Sequence, residues 1–170
     1  MAYNWVRFES VSNVAYNQIP GVLAEPWYSK GIFHPSYLAS SLYVMLLQPP
    51  VLIDRFPYLV PSLFGMSILL ATPALFLTFQ APLRCWRTWF LVAASGACLL
   101  PGLLHGWPGG DQFGYRFSLD AIPLIMALMA IAMGERASGR ARFLIVLSIL
   151  ISIWGLLLVE HRPVQWLYPL

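Results

Sequence analysis

Four long apolar stretches constrain this chain more than anything else in its sequence: residues 61–79, 88–104, 118–134 and 143–159. Crossing a bilayer as an α-helix takes about 20 apolar residues, with a working range of about 17–25. Each stretch reaches the low end of that range. None carries a charge at its centre; the third has Asp120 and Pro123 near its start. Charged residues make up only 10% of the 170, and hydrophobic ones 59%, whereas a soluble domain carries about 25% charged residues. So few charges cannot clothe a globule of this size, but they suffice where lipid covers most of the surface. The expected fold is an all-α membrane protein with a bundle of about four transmembrane helices over residues 61–170.

Residues 1–60 read differently. The apolar run 37–47 is too short to span and ends at Gln48-Pro49-Pro50, where prolines stop a helix. Its length suits an interfacial or re-entrant helix. Pro26, Pro35, Pro49, Pro50, Pro57 and Pro61 break up the rest, so the region is expected to hug the membrane with short helices. Arginine sets the orientation. Arg84 and Arg87 follow the first stretch, and Arg136, Arg140 and Arg142 follow the third. Short basic loops stay in the cytoplasm, which puts residues 1–60, the 105–117 loop and the C-terminal tail outside. About 60 residues would then have to cross with no signal before them. A span is therefore expected to have preceded Met1, as in the C-terminal portion of a larger membrane protein.

The chemistry-bearing segment is 104–120. Gly106, Gly109, Gly110 and Gly114 are read as letting the backbone approach a ligand, and Trp107, Phe113, Tyr115 and Phe117 as an interfacial aromatic cluster. Among them stand His105, Asp111, Arg116 and Asp120. Arginine suits forked recognition of phosphate, and a lipid-linked phosphate presents its head at this depth. One reading has Arg116, helped by Tyr115 and His105, hold that phosphate, with Asp111, Asp120 and Gly114 supporting the loop. The other has Arg116 snorkel and pair with Asp120 or Asp111, four residues being one helical turn. Elsewhere, Asp54-Arg55 suggests a local ion pair, His34 a surface residue, Glu160-His161-Arg162 a stop signal, and Gly65 and Gly96 close helix packing. Cys85 and Cys98 suggest neither a metal site nor a disulfide. No metal-ligand spacing, phosphate loop or nucleophile elbow occurs, no cofactor is implied, and the basic residues are too scattered for nucleic acid.

The run Gly106-Trp-Pro-Gly-Gly-Asp-Gln-Phe-Gly-Tyr-Arg-Phe-Ser-Leu-Asp-Ala-Ile-Pro123 leads into an apolar helix. It resembles the late extracytoplasmic loop and following helix of bacterial GT-C superfamily glycosyltransferases, of the protein-mannosyltransferase and aminoarabinose-transferase-like groups. Tyr3-Asn-Trp-Val-Arg-Phe-Glu9, Tyr43-Val-Met-Leu-Leu-Gln-Pro-Pro50 and Phe56-Pro-Tyr58 are similar to further parts of that family. The resemblance implies a multi-pass protein of the bacterial cytoplasmic membrane whose donor is a polyprenyl-phosphate-linked sugar. It also implies that the catalytic acid belongs to a first outer loop that nothing here matches. The chain would then be inactive alone, with the N-terminal half as its partner and Arg116 neutralising the lipid phosphate. The alternatives are a non-catalytic membrane scaffold or subunit, and a transporter fragment. The last would need a polar mid-bilayer cavity that these spans do not supply.

Overall fold

The computed structural model describes residues 2–9, 19–54 and 56–160. The molecule is mostly helical. Its α-helices are α1 (Ala2–Phe8), α2 (Leu38–Leu46), α3 (Ile68–Ala71), α4 (Trp86–Leu104), α5 (Ile122–Met133) and α6 (Gly139–Glu160). Tight 3-10 turns occupy Val22–Ala24, Pro26–Tyr28, Pro35–Tyr37 and Arg116–Ser118, and a longer 3-10 segment runs over Pro73–Gln80. A two-stranded antiparallel hairpin pairs β1 (Val51–Leu52) with β2 (Leu59–Val60). Residues 161–162 of the expected stop signal, and Arg55 of the Asp54-Arg55 pair, lie outside the described residues.

Two helices, Trp86–Leu104 and Gly139–Leu158 within α6, are long and apolar enough to cross a membrane. At about 1.5 Å per residue they roughly match a hydrocarbon core of about 30 Å. Both agree with the stretches expected at 88–104 and 143–159 to within a few residues. Most of their surface is exposed, including Trp86, Phe90, Phe143, Ile149 and Leu156. The 118–134 stretch enters through the 3-10 turn Arg116–Ser118 and becomes α-helical only at Ile122. Pro123 lies in the first turn of α5, where a missing N–H is harmless, and Gly134 closes it at φ +63.

The 61–79 stretch departs most from expectation: it is not one helix. Ser67 caps α3 by accepting the Leu69 N–H. Thr72, held extended at φ −139 by the proline after it, ends α3 after one turn. Pro73 then opens the 3-10 segment. This broken segment packs against α5 and α6, with Ala74, Leu75 and Leu77 buried. The Ser148 hydroxyl of α6 accepts the Ala74 N–H at 2.8 Å and donates to Leu144 C=O. Gly65 likewise serves no helix contact. It sits in a turn at φ +82, against the backbone of Gln112 and Gly114. At the other end, Gln80 shares a small cleft with Arg136 and Ser138. The segment therefore runs from the 105–117 loop to the basic loop.

The apolar core gathers Val44 and Met45 of α2, Ile68 of α3, Leu75, Leu103 of α4 and Tyr115. Residues 37–47 form a helix as expected, over 38–46. Ser67 ties its C-terminal end to α3, with its hydroxyl donating to Leu46 C=O and its N–H to Gln48 C=O.

Candidate functional site

The loop after α4 is held on both flanks by backbone hydrogen bonds. His34 N–H donates to Leu104 C=O and Gly106 N–H to Ile32 C=O, each at 2.9 Å. On the other flank Asp111 N–H donates to Leu63 C=O at 3.0 Å and Met66 N–H to Phe113 C=O at 2.9 Å. Inside the loop Gln112, only 7% exposed, makes three hydrogen bonds. Its Nε2 donates to Phe64 C=O at 2.6 Å and Pro108 C=O at 3.0 Å, and its Oε1 accepts the Arg116 N–H at 3.1 Å. Sequence reading passed over Gln112. The available signal was an amide in an apolar loop, which must find partners once buried.

The loop glycines require a correction: the space they leave is filled by the protein itself. A Cβ at Gly106 would lie 2.5 Å from Trp27 C=O, and one at Gly109 2.5 Å from Gln112 Oε1. At Gly110 it would meet the Trp107 ring at 3.0 Å, and at Gly114 the Ala71 Cβ at 3.3 Å. These glycines permit close packing of loop on loop. Gly110 thus belongs with a small aromatic cluster in which Trp27, Phe64 and Trp107 meet edge to face, and Gly109 makes room for the Gln112 amide.

The six expected site residues fall in two clefts, one lined by Arg116, Tyr115, Asp111 and Gly114 and the other by His105 and Asp120. Tyr115 is 1% exposed, and its hydroxyl donates to Gly102 C=O at 2.9 Å. Burial pushes its phenol above the usual value of 10.0, partly opposed by a hydrogen bond with Ser41. It is a core residue behind Arg116. His105 is 8% exposed, and its Nδ1 lies 2.7 Å from Trp107 C=O. A carbonyl only accepts, so Nδ1 carries the proton. The ring packs edge-on against Tyr28 and Phe33 and tilted against Phe117. Asp120 lines a small cleft beside His105, Cys98 and Phe117.

Arg116, Asp111, Gly114 and the edge of Tyr115 line a different cleft, of about 400 Å³. Its floor is apolar, built from Ile68, Leu75, Leu119 and Ile122, and Ser152 of α6 reaches its wall. The four-residue spacing therefore does not bring Arg116 and Asp120 together. A 3-10 turn has about 3.0 residues per turn, so residue i+4 points roughly a third of a turn away. The Arg116 side chain is exposed, and its guanidinium carbon lies 5.7 Å from the centre of the Phe117 ring. Among the described residues no ion pair or side-chain hydrogen bond engages that guanidinium. His34 caps the turn Pro35–Tyr37 by accepting the Ser36 N–H. Cys85 and Cys98 are free, and no cluster of three metal-ligating side chains occurs among the described residues.

The arrangement is an exposed cation, outside any ion pair among the described residues, in a largely apolar cleft that Asp111 also lines, on a loop tied together by Gln112. Its chemistry is that of anion binding at an apolar boundary. Among known proteins, no family model, no curated protein and no solved structure matches the chain.

Proposed function

We propose that this is a membrane protein that holds the phosphate of a polyprenyl-phosphate-linked sugar donor on Arg116, as the membrane portion of a glycosyltransferase. The observation that carries the reading is the exposed Arg116 guanidinium, which no ion pair engages among the described residues, in a largely apolar cleft of about 400 Å³. A lipid phosphate supplies both an anion for the rim and a hydrocarbon for the floor. The membrane setting is supported by α4 and α6, whose large apolar side chains face outward. Four passes remain the topology of this reading. The broken segment 66–80 supplies the first pass, since non-α backbone is tolerated at membrane depth where protein covers it. The loop sequence 106–123 supports the glycosyltransferase assignment through its resemblance to the GT-C group. Catalysis would depend on residues outside that loop.

A scaffold role is favoured by one observation: the loop glycines and Tyr115 are packed against the protein's own side chains. Binding of a polyprenyl monophosphate to the purified chain in nanodiscs, followed by native mass spectrometry, separates the two readings. Under the donor-site reading Arg116→Ala weakens binding by roughly tenfold to a hundredfold, the range of a charge-assisted hydrogen bond. Arg116→Lys recovers part of that loss, and Asp111→Asn strengthens binding by removing a like charge from the cleft. Equal binding by all four proteins leaves Arg116 an anchor and the scaffold role the better account.

A further inference from the structure

We infer that the cleft at the opposite end of the molecule from Arg116 holds the head-group phosphate of an anionic phospholipid, with Arg136 as its cation. The cleft has a volume of about 130 Å³. Three elements build it: Leu77 and Gln80 from the end of the 3-10 segment, Ala132 from the end of α5, and Ser138 and Ala141 from the entry to α6. Arg136 lines it from the connection between α5 and α6. Leu77 and Ala141 are buried and make its apolar part. Gln80, Arg136 and Ser138 bring hydrogen-bond donors. The Ser138 hydroxyl oxygen accepts the Ala141 N–H at 3.2 Å, which leaves its own proton to give. Among the described residues no ion pair or side-chain hydrogen bond engages Arg136 or Gln80. A guanidinium fork, a carboxamide and a hydroxyl on one small cleft suit the oxygens of a phosphate. A cavity of about 150 Å³ holds a six-carbon ring, so this one takes a phosphate and its ester linkage and leaves an acyl chain outside.

Charge and depth point to a lipid as the source of that phosphate. The start of α4 and the end of α5 lie at this end, so Arg84, Arg87, Arg136, Arg140 and Arg142 gather here, all exposed. In the two connections 81–87 and 134–142, Glu135 is the one acid. Exposed arginines by themselves attract any anionic surface diffusely; the cleft singles out Arg136. Trp86 and Trp89 stand exposed at the start of α4, and the Trp89 indole N–H donates to Leu83 C=O at 2.8 Å. Tryptophan collects at the head-group level of a bilayer, which sets the cleft at the depth of the lipid phosphates. Phe79 and Leu83, on either side of Gln80 in the chain, are exposed as well. They offer apolar surface to an acyl chain leaving the cleft. A free phosphate gains nothing from these neighbours, whereas a phospholipid gains from both the charge and the apolar surface.

The test titrates the full chain, purified in detergent at physiological salt, with dioleoyl phosphatidylglycerol, and reads the retained lipid by native mass spectrometry. Dioleoyl phosphatidylcholine and glycerol 3-phosphate are titrated in parallel. A first phosphatidylglycerol is expected to bind about tenfold more tightly than phosphatidylcholine, the range of a charge-assisted contact, and glycerol 3-phosphate is not expected to displace it. Arg136→Gln should lower phosphatidylglycerol affinity roughly tenfold. Ala132→Phe fills the cleft without removing a charge and should lower it to a similar extent; a lipid-free unfolding midpoint near that of the native chain shows that each variant is folded. Arg142→Gln removes the same charge from an exposed position outside the cleft and should cost about twofold or less, since salt screens it. Equal losses from Arg136→Gln and Arg142→Gln would mean a diffuse basic surface and overturn the inference. Displacement by glycerol 3-phosphate would make this a site for a soluble anion and overturn the lipid. Loss of phosphatidylglycerol in Arg116→Ala with retention in Arg136→Gln would put the lipid at the other end of the molecule and overturn the inference too.

Discussion

Gln112 and Tyr115 set the stability of the loop that Arg116 rides on, and both act through hydrogen bonds to backbone. Gln112→Leu keeps the approximate volume but strands the Phe64 and Pro108 carbonyls and the Arg116 N–H. Stranded polar groups cost about 1–3 kcal/mol each when buried. Because these are only part-buried, roughly 2–4 kcal/mol in total is expected, read as a lower midpoint in thermal unfolding. An unchanged midpoint would show that the loop is held without Gln112. Tyr115→Phe removes the bond to Gly102 C=O and should cost about 1 kcal/mol. It also has a pH signature. The unfolded phenol ionises near 10.0, while burial holds the folded one above that. As pH rises past the unfolded value the unfolded state has released a proton that the folded state keeps, so stability falls. Unfolding midpoints taken from pH 8 to 11 should decline above about 10 in the native protein and more gently in Tyr115→Phe. Equal slopes would assign the decline to other groups.

The broken 66–80 segment shows how an apolar stretch that is not one helix is held against its neighbours. A 3-10 helix opening at Pro73 leaves its first N–H groups without internal partners. Ala74 is buried, and its N–H finds the Ser148 hydroxyl on α6. Ser148→Ala should therefore cost about 1–3 kcal/mol, far more than an ordinary exposed Ser→Ala change on a helix. Ser152→Ala, one turn further along α6, serves as the control. Equal effects of the two changes would remove Ser148 from its assigned role. The loop also docks on α6: a Cβ at Gly155 would lie 2.6 Å from the Phe113 ring, which stacks edge-on with Trp154. On α4, Gly102 admits the Phe117 side chain in the same way, with a Cβ there falling 2.5 Å from the Phe117 Cβ. Small residues on the long helices thus mark where the 105–117 loop rests.

At the scale of the whole molecule, the two ends carry different chemistry. Arg116, Asp111 and the aromatic cluster stand at the end where α4 finishes. Gln80, Arg136 and Ser138 stand at the end where α5 finishes. Cysteines placed singly at Asp111 and Ser138 in a Cys85→Ser, Cys98→Ser background test the proposed sidedness. In oriented vesicles an impermeant maleimide should label position 111 from outside and 138 only after permeabilisation. Labelling of both from one side would rule out an odd number of passes between them.

How much of this was legible beforehand follows from what each feature depends on. The helices α4 and α6 were readable because a long apolar run favours the helix even where Pro101 removes one bond of the α4 ladder. Their extent is a local property, and the structure keeps it to within a few residues. The short helix 38–46, stopped by Gln48-Pro49-Pro50, was local in the same sense. The 61–79 stretch carried the same apolar signal, but Pro73 and Gly65 broke it, and only the covering surfaces of α5 and α6 make a broken segment tolerable there. The site divided along the same line. Arg116 stood out by residue type and does face a cleft, whereas Gln112 looked like filler and proved to be the tie between three stretches of loop. The glycines were visible, but which atoms occupy the space at Gly106 and Gly114 depends on Trp27 and Ala71 arriving from elsewhere in the chain. Residue order alone determined which segments are apolar enough to become helices. Tertiary packing decided which of them stay whole, and it separated Arg116 from Asp120, because a 3-10 turn rotates by a different angle per residue than the α-helix the spacing suggested.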